Sequence, residues 1–229
     1  MSGYDAFAPV YDTFAAGLTE DVDFYVSLAE EASGPVVELA VGTGRVAIPI
    51  AKRTGRRVIG IDVSEAMLDV ARRSAVEAGV EVDLRHGDMR GLALEETTDL
   101  VICPFRAMLH LCGHDERVTV MRRARDVLVH GGRFAWNTFV FDPAIAAEID
   151  GVWREEHGVR NRSTYEYDER RVDLELGNGA VVPLWWADRS EWEAAIDEAG
   201  LELEALYGWF DERPFDDESR EFVYVTRKP

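Results

Sequence analysis

The stretch from Val36 to Arg45 reads VVELAVGTGR, an apolar run carrying Glu38 and then Gly42 and Gly44 one residue apart. A short β-branched run predicts a buried strand over Val36 to Leu39. The glycines predict a tight loop whose backbone approaches a ligand, ahead of a helix from Val46 to Arg53. An acidic side chain at that junction needs a reason.

Outward from this stretch, β-branched runs alternate with helical patterns, the signature of βαβ units and a parallel sheet. Strands are predicted at Arg57 to Ile61, Glu81 to Arg85, Leu100 to Cys103 and Gly132 to Thr138. Helices are predicted at Glu65 to Ala78 and Glu116 to Leu128. Ser64 stands at an N-cap position, Met67, Leu68 and Ala71 recur at helical spacing, and Gly79 closes that helix.

Beyond Asp142 the pattern changes to polar and apolar alternation, RSTYEYDERRVDLELGNGAVVPLWW, with a turn at 177–179. This predicts an antiparallel hairpin inserted over 142–189. Ser190 and Glu193 have capping-box spacing for a helix ending near Ala199 and Gly200. Leu201 to Tyr207 and Phe222 to Thr226 read as two closing strands. The expected architecture is therefore α/β, a doubly wound, mostly parallel seven-stranded sheet in one domain spanning 1–229. At the other end YDAFA at Tyr4 is echoed by YDTFA at Tyr11, placing both tyrosines on one helical face. Pro9 starts or kinks that helix, and residues 1–33 are expected to form an N-terminal helical lid.

Composition narrows the partners. With 44 acidic and 25 basic residues the formal charge is −19, a field that repels phosphodiester backbones. Nucleic acid is not expected as a partner, and the acidity reads as a solubility or salt-adaptation trait. No apolar run approaches the roughly 20 residues needed to cross a bilayer, and the start MSGYDAFAPVYD has no export signal. Two cysteines, Cys103 and Cys112, are too few for a disulfide framework. A cytoplasmic protein, monomeric or homodimeric and without a membrane, is expected.

Gly42, Gly44 and Ala47 satisfy a loose G-x-G-x-x-A, and Asp62 ends the next strand 20 residues after Gly42. That fits nucleotide binding generally, a dinucleotide-dependent dehydrogenase included. Glu38 argues against a pyrophosphate, which repels a carboxylate, and in favour of a ligand carrying positive charge. In a doubly wound sheet the loops after the first four strands open at one edge, so Glu38, Asp62, Asp88 and Cys103 are expected to line one crevice.

With VVELAVGTGR, VIGIDVSEAML, LRHGDM and DLVICPFRAMLHL in this order, the chain resembles the class I S-adenosylmethionine-dependent methyltransferases, in particular their small-molecule branch. The resemblance implies a Rossmann-like methyltransferase fold, S-adenosyl-L-methionine as cofactor and a small-molecule methyl acceptor. Glu38, Ala40, Gly42 and Gly44 would hold the methionine end of the cofactor and Asp62 the ribose. Val63 and Met67 would pack on adenine, Asp88 and Met89 would read its edge, and Tyr11 and Cys103 would complete the cofactor site. The family commonly has glycine at the position of Ala40, a departure in this chain.

On the acceptor side His110 is the candidate general base, beside a packing role in its loop. Arg106 offers a guanidinium for an acceptor carboxylate or phosphate, against a plain salt bridge. Trp136 and Trp185 offer flat surfaces for an apolar ring or an amine, whereas Trp192 is expected in the core. Tyr4, Tyr11 and the inserted hairpin are the expected lid. His110, Cys112 and His114 alternate without a recognised zinc arrangement, so no metal is expected. Two other functions remain open: an NAD(P)-dependent oxidoreductase, and a non-catalytic partner subunit that retains the cofactor pocket.

Overall fold

The computed structural model describes residues 4–5, 8–15 and 19–229. Parts of the expected N-terminal lid, at 1–3, 6–7 and 16–18, lie outside the described residues. In chain order, α1 (Ala8–Ala15) and α2 (Glu20–Glu31) lead into β1 (Val36–Leu39), α3 (Ala47–Thr54), β2 (Val58–Asp62), α4 (Glu65–Ala78) and β3 (Asp83–His86). Next come β4 (Thr98–Cys103), α5 (Gly113–Val127), β5 (Leu128–Phe139) and α6 (Pro143–Ile149). An added unit follows, β6 (Trp153–Glu156), β7 (Val159–Glu166), β8 (Arg171–Leu176) and β9 (Val181–Trp185). The chain closes with α7 (Arg189–Glu198), β10 (Glu202–Tyr207) and β11 (Glu221–Arg227).

The main sheet has seven strands in the order β10-β11-β5-β4-β1-β2-β3, and β11 pairs antiparallel with both of its neighbours. β1 lies centrally, Glu38 opposite Gly60 on one side and Ile102 on the other. A strand covered on both faces reads as continuous apolar sequence, which is why VVEL and VIGID were legible. One face of the sheet packs Phe134, Trp136, Trp192 and Tyr224 under α5 and α7. The other packs Phe24, Tyr25, Ile50 and Leu68 under α2, α3 and α4.

Caps set the helix ends. Ser64 accepts from the Met67 N–H at 3.2 Å, and Gly79 ends α4 at φ 70°. α7 starts earlier than expected: the capping box is Asp188 with Glu191, whose carboxylate accepts from the Asp188 N–H at 2.8 Å. Ser190 then lies inside the first turn, because Asp188 offers the same capping chemistry two residues sooner.

The inserted hairpin is larger than the alternation indicated. β8 and β9, joined by the turn at 177–179, form half of a separate four-stranded antiparallel sheet in the order β6-β7-β8-β9. The missed hairpin turns at His157 and Gly158, φ 49° and 78°, a left-handed pair that suits a two-residue connection. The N-terminal helices also divide. α2 is part of the core layer, with the Tyr25 hydroxyl donating to Asn137 Oδ1 at 3.0 Å, while α1 touches α4 and β7, bridging the two sheets.

Candidate active site

At the carboxyl edge of β1, β2 and β4 lies a cavity of about 360 Å³. Its walls include Tyr11, Ala40, Gly42, Asp62, Val63, Met67, Asp88 and Met89. The Asp62 carboxylate accepts from the Gly42 N–H and the Ser64 N–H, each at 2.8 Å, so it ties the glycine loop to the end of β2. Burial raises its pKa, and those N–H groups hold it back. Asp88 accepts from Arg90 at 2.6 Å, an ion pair that lowers its pKa.

Glu38 is 2 % exposed, and its Oε2 has no hydrogen-bond partner among the described residues. Burial pushes its pKa well up, and the nearby Arg45 offsets this only in part. Arg45 itself is bound through both terminal nitrogens to the fully buried Asp21 of α2. Its guanidinium lies 4.6 Å from the Phe105 ring centre.

Backbone strain concentrates here. Ala40, Phe105 and Arg106 have φ of 53°, 55° and 62°, a region L-residues seldom adopt. The Ala40 value accounts for glycine being common there. The Phe105–Arg106 pair bends the chain sharply after β4 and brings the Phe105 ring edge-on to Tyr11, with centres 5.7 Å apart.

A second cavity of about 440 Å³ opens between the main sheet and the small one. Tyr4, Tyr11, Phe105, His110 and Val182 border both cavities. His110 Nε2 lies 2.7 Å from the Tyr4 hydroxyl and Nδ1 lies 3.3 Å from the Pro183 carbonyl. Since a carbonyl only accepts, Nδ1 carries the hydrogen and Nε2 accepts from Tyr4. Burial drives the His110 pKa down to about 4, so the ring is neutral at pH 7. The Tyr4 phenol is raised by burial and stays protonated.

Several expected residues fall elsewhere. Trp136 is fully buried in the core, stacked on Phe134 and Tyr224 with centres 4.7 and 5.1 Å away, and borders neither cavity. Trp185 lines the first cavity rather than the second. Arg106 borders the second, but its guanidinium is bound to the buried Glu221 at 2.8 Å, which also accepts from Asn137 at 2.6 Å. Glu38, Gly44 and Cys103 do not reach the surface of the first cavity. Cys103 is fully buried in the core, and burial raises its thiol pKa. Gly44 is needed for the turn, because its φ of 84° lies in the region L-residues seldom adopt.

Phe105, Phe141, Arg154 and Asn161 were not foreseen. Phe105 shares a segment with Arg106 and His110, which was the available signal. The other three are remote in sequence and carry no motif. No cluster of three His, Cys, Asp or Glu among the described residues is arranged to hold a metal. No described helix is long and apolar enough to cross a membrane.

Residues 36–132 match the methyltransferase-domain family. The CcbJ methyltransferase from Streptomyces caelestis superposes with a TM-score of 0.85 at 30% identity, covering 100% of this chain and 98% of that one. A 27-O-demethylrifamycin SV methyltransferase from Amycolatopsis mediterranei is 26% identical over 223 residues, 89% of this chain and 73% of the relative. A ubiquinone biosynthesis O-methyltransferase from Stutzerimonas stutzeri is 32% identical over 135 residues, 57% of this chain, and the chain spans 54% of its length. The glycine loop, the acid ending β2 and the full-length structural match agree: the chain belongs to the S-adenosylmethionine-dependent methyltransferases.

Proposed function

We propose that the chain methylates an uncharged amine of a small molecule, with cofactor in the 360 Å³ cavity and acceptor in the 440 Å³ one. The observation that carries this is their shared wall of Tyr4, Tyr11, Phe105, His110 and Val182. Reactants held on either side of one mostly aromatic collar meet already oriented, an advantage of roughly 7 to 11 kcal/mol.

When bound, S-adenosylmethionine supplies a methyl group on a sulfonium whose positive charge disappears on transfer. The chain fits that guest. Glu38 lies behind the cavity wall rather than on it, two residues before Ala40, and its orphaned buried oxygen needs a donor that the cationic amino-acid end would supply. Ala40 and Gly42 present backbone to the methionine portion, and Gly44 shapes their loop. Each Asp62 oxygen keeps a lone pair for a ribose hydroxyl after accepting one backbone N–H. Val63 and Met67 would cover the adenine, Asp88 and Met89 would read its edge, and Tyr11 would close the sulfur end.

His110 favours an amine over an alcohol. A neutral amine attacks without first losing a proton, and burial favours its uncharged form. The methylated product keeps its proton as an ammonium until it leaves the cavity, so transfer needs no base, and His110 Nε2 holds the Tyr4 hydroxyl in place along the 2.7 Å bond. With a pKa near 4, His110 is too weak a base to ionise an alcohol. α1 and the small sheet act as the lid that keeps water out. The free thiols of Cys103 and Cys112 suit a reducing, cytoplasmic setting, and the site draws on one chain, so a monomer or a homodimer serves.

Titration calorimetry with S-adenosylmethionine and with NAD tests the cofactor: the first binds and the second does not, and tight NAD binding alone would overturn the reading. Asp62→Ala weakens cofactor binding at least tenfold. His110→Ala binds cofactor within a few-fold of the parent and slows turnover. A labelled-methyl panel of amines, phenols and alcohols tests the acceptor, and turnover confined to the hydroxyl compounds would refute the amine.

A further inference from the structure

The acceptor cavity has a polar floor that methyl transfer itself does not use. Asn161 on β7 and Arg154 on β6 are directly opposed across the ladder, so both project from one face of the small sheet. Both line the cavity. Asn161 is fully buried, and its Nδ2 donates to the Val159 carbonyl at 3.3 Å. That bond orients the amide, and Oδ1 has no partner among the described residues. The Arg154 Nε is likewise buried and unpartnered, and Ser163, two positions along β7, adds a hydroxyl to the same wall.

A buried amide oxygen without a donor is costly, and a guest in the cavity that Asn161 lines can supply one. Charge does not explain the floor. Arg154 is matched by Glu156 at 3.0 Å, Arg106 by Glu221 at 2.8 Å and Arg220 by Asp142 at 3.6 Å. No surplus positive charge is left to hold an anion. What remains is one unpaired acceptor, one unpaired donor and a hydroxyl, a set met by neutral groups that donate and accept together. Phe141, which lines the same cavity, is stacked on Trp186 at 4.1 Å and 5°, a rigid apolar surface suited to the C–H face of a ring.

We propose that Asn161, with Arg154 and Ser163 beside it, is a specificity-determining residue that selects an acceptor whose ring carries neutral hydroxyl groups remote from the methylated atom. The inference rests on the assignment of this cavity to the acceptor.

The test uses three amines on one ring size: a polyhydroxylated aminocyclohexane, cyclohexylamine and 4-aminocyclohexanecarboxylate. Their affinities are measured calorimetrically on protein loaded with S-adenosylhomocysteine. The hydroxylated amine binds at least tenfold more tightly than the other two. Asn161→Leu reduces that preference to within twofold, and Asn161→Asp, which keeps the oxygen, retains it. Affinity for S-adenosylhomocysteine stays within twofold in both variants, a check that they fold. If Asn161→Leu does not fold, Ser163→Ala serves, with a threefold loss of preference. Equal binding of the three amines, tighter binding of the carboxylate, no binding of any, or a preference untouched by these variants overturns the proposal. Failure of S-adenosylhomocysteine itself to bind refutes the methyl-transfer reading instead, and this inference with it.

Discussion

At Ala40 a single methyl group separates this chain from the glycine common in its family, and φ of 53° shows what that methyl costs. Left-handed backbone is disfavoured for an L-residue by about 1–2 kcal/mol, partly offset by the greater freedom glycine has when unfolded. Ala40→Gly is therefore expected to raise Tm by about 2–3 °C, and Ala40→Val to lower it, both read by calorimetric melting. His110 makes a pH prediction. Its folded pKa of about 4 lies below the ordinary 6.5, so the unfolded chain binds a proton more readily between those values. Stability from this group is full above pH 6.5 and is lost as pH falls through 4. His110→Asn should flatten the Tm profile between pH 6.5 and 4 relative to the parent, and an unchanged slope would contradict the burial argument.

Among the elements, the N-terminal segment is fastened to the loops at the carboxyl edge of the main sheet at successive points. Tyr4 bonds His110, Asp5 bonds Ser64 at 2.7 Å, Asp12 bonds Thr43 at 2.5 Å, and Asp21 holds Arg45. The last is the strongest because Asp21 is fully buried. Removing one charge leaves the other desolvated and alone, a loss of about 3–5 kcal/mol. Asp21→Asn should lower Tm by on the order of 10 °C and weaken cofactor binding by more than Asp23→Asn does. Asp23 is the fair control because its pair with Arg53 is exposed. The element boundaries read well wherever caps were local, as at Ser64 and Gly79. They slipped at Ser190, where two overlapping cap signals competed, and at β6–β7, where mixed charge hid a real strand pair.

For the whole molecule the excess of 44 acidic over 25 basic residues sets the response to salt. Exposed ion pairs weaken as salt rises, but each contributes little, whereas 19 unmatched negative charges repel across the surface. Screening the repulsion is the larger effect. Tm is expected to climb between 0.05 and 1 M KCl, and a falling Tm would mean that the ion pairs dominate. The sequence by itself determined the alternation of strands and helices, the glycine loop and the acids at the ends of β1 and β2. Those signals are local, written in spacing and in residue type within a few positions. Only the tertiary structure decided that Trp136 is core, that Glu221 occupies Arg106, and that Asn161 and Arg154 form the floor of a cavity. The partners concerned lie up to 115 residues apart in the chain, and whether a polar group meets a partner, water or a ligand depends on what packing brings against it, which no local pattern encodes.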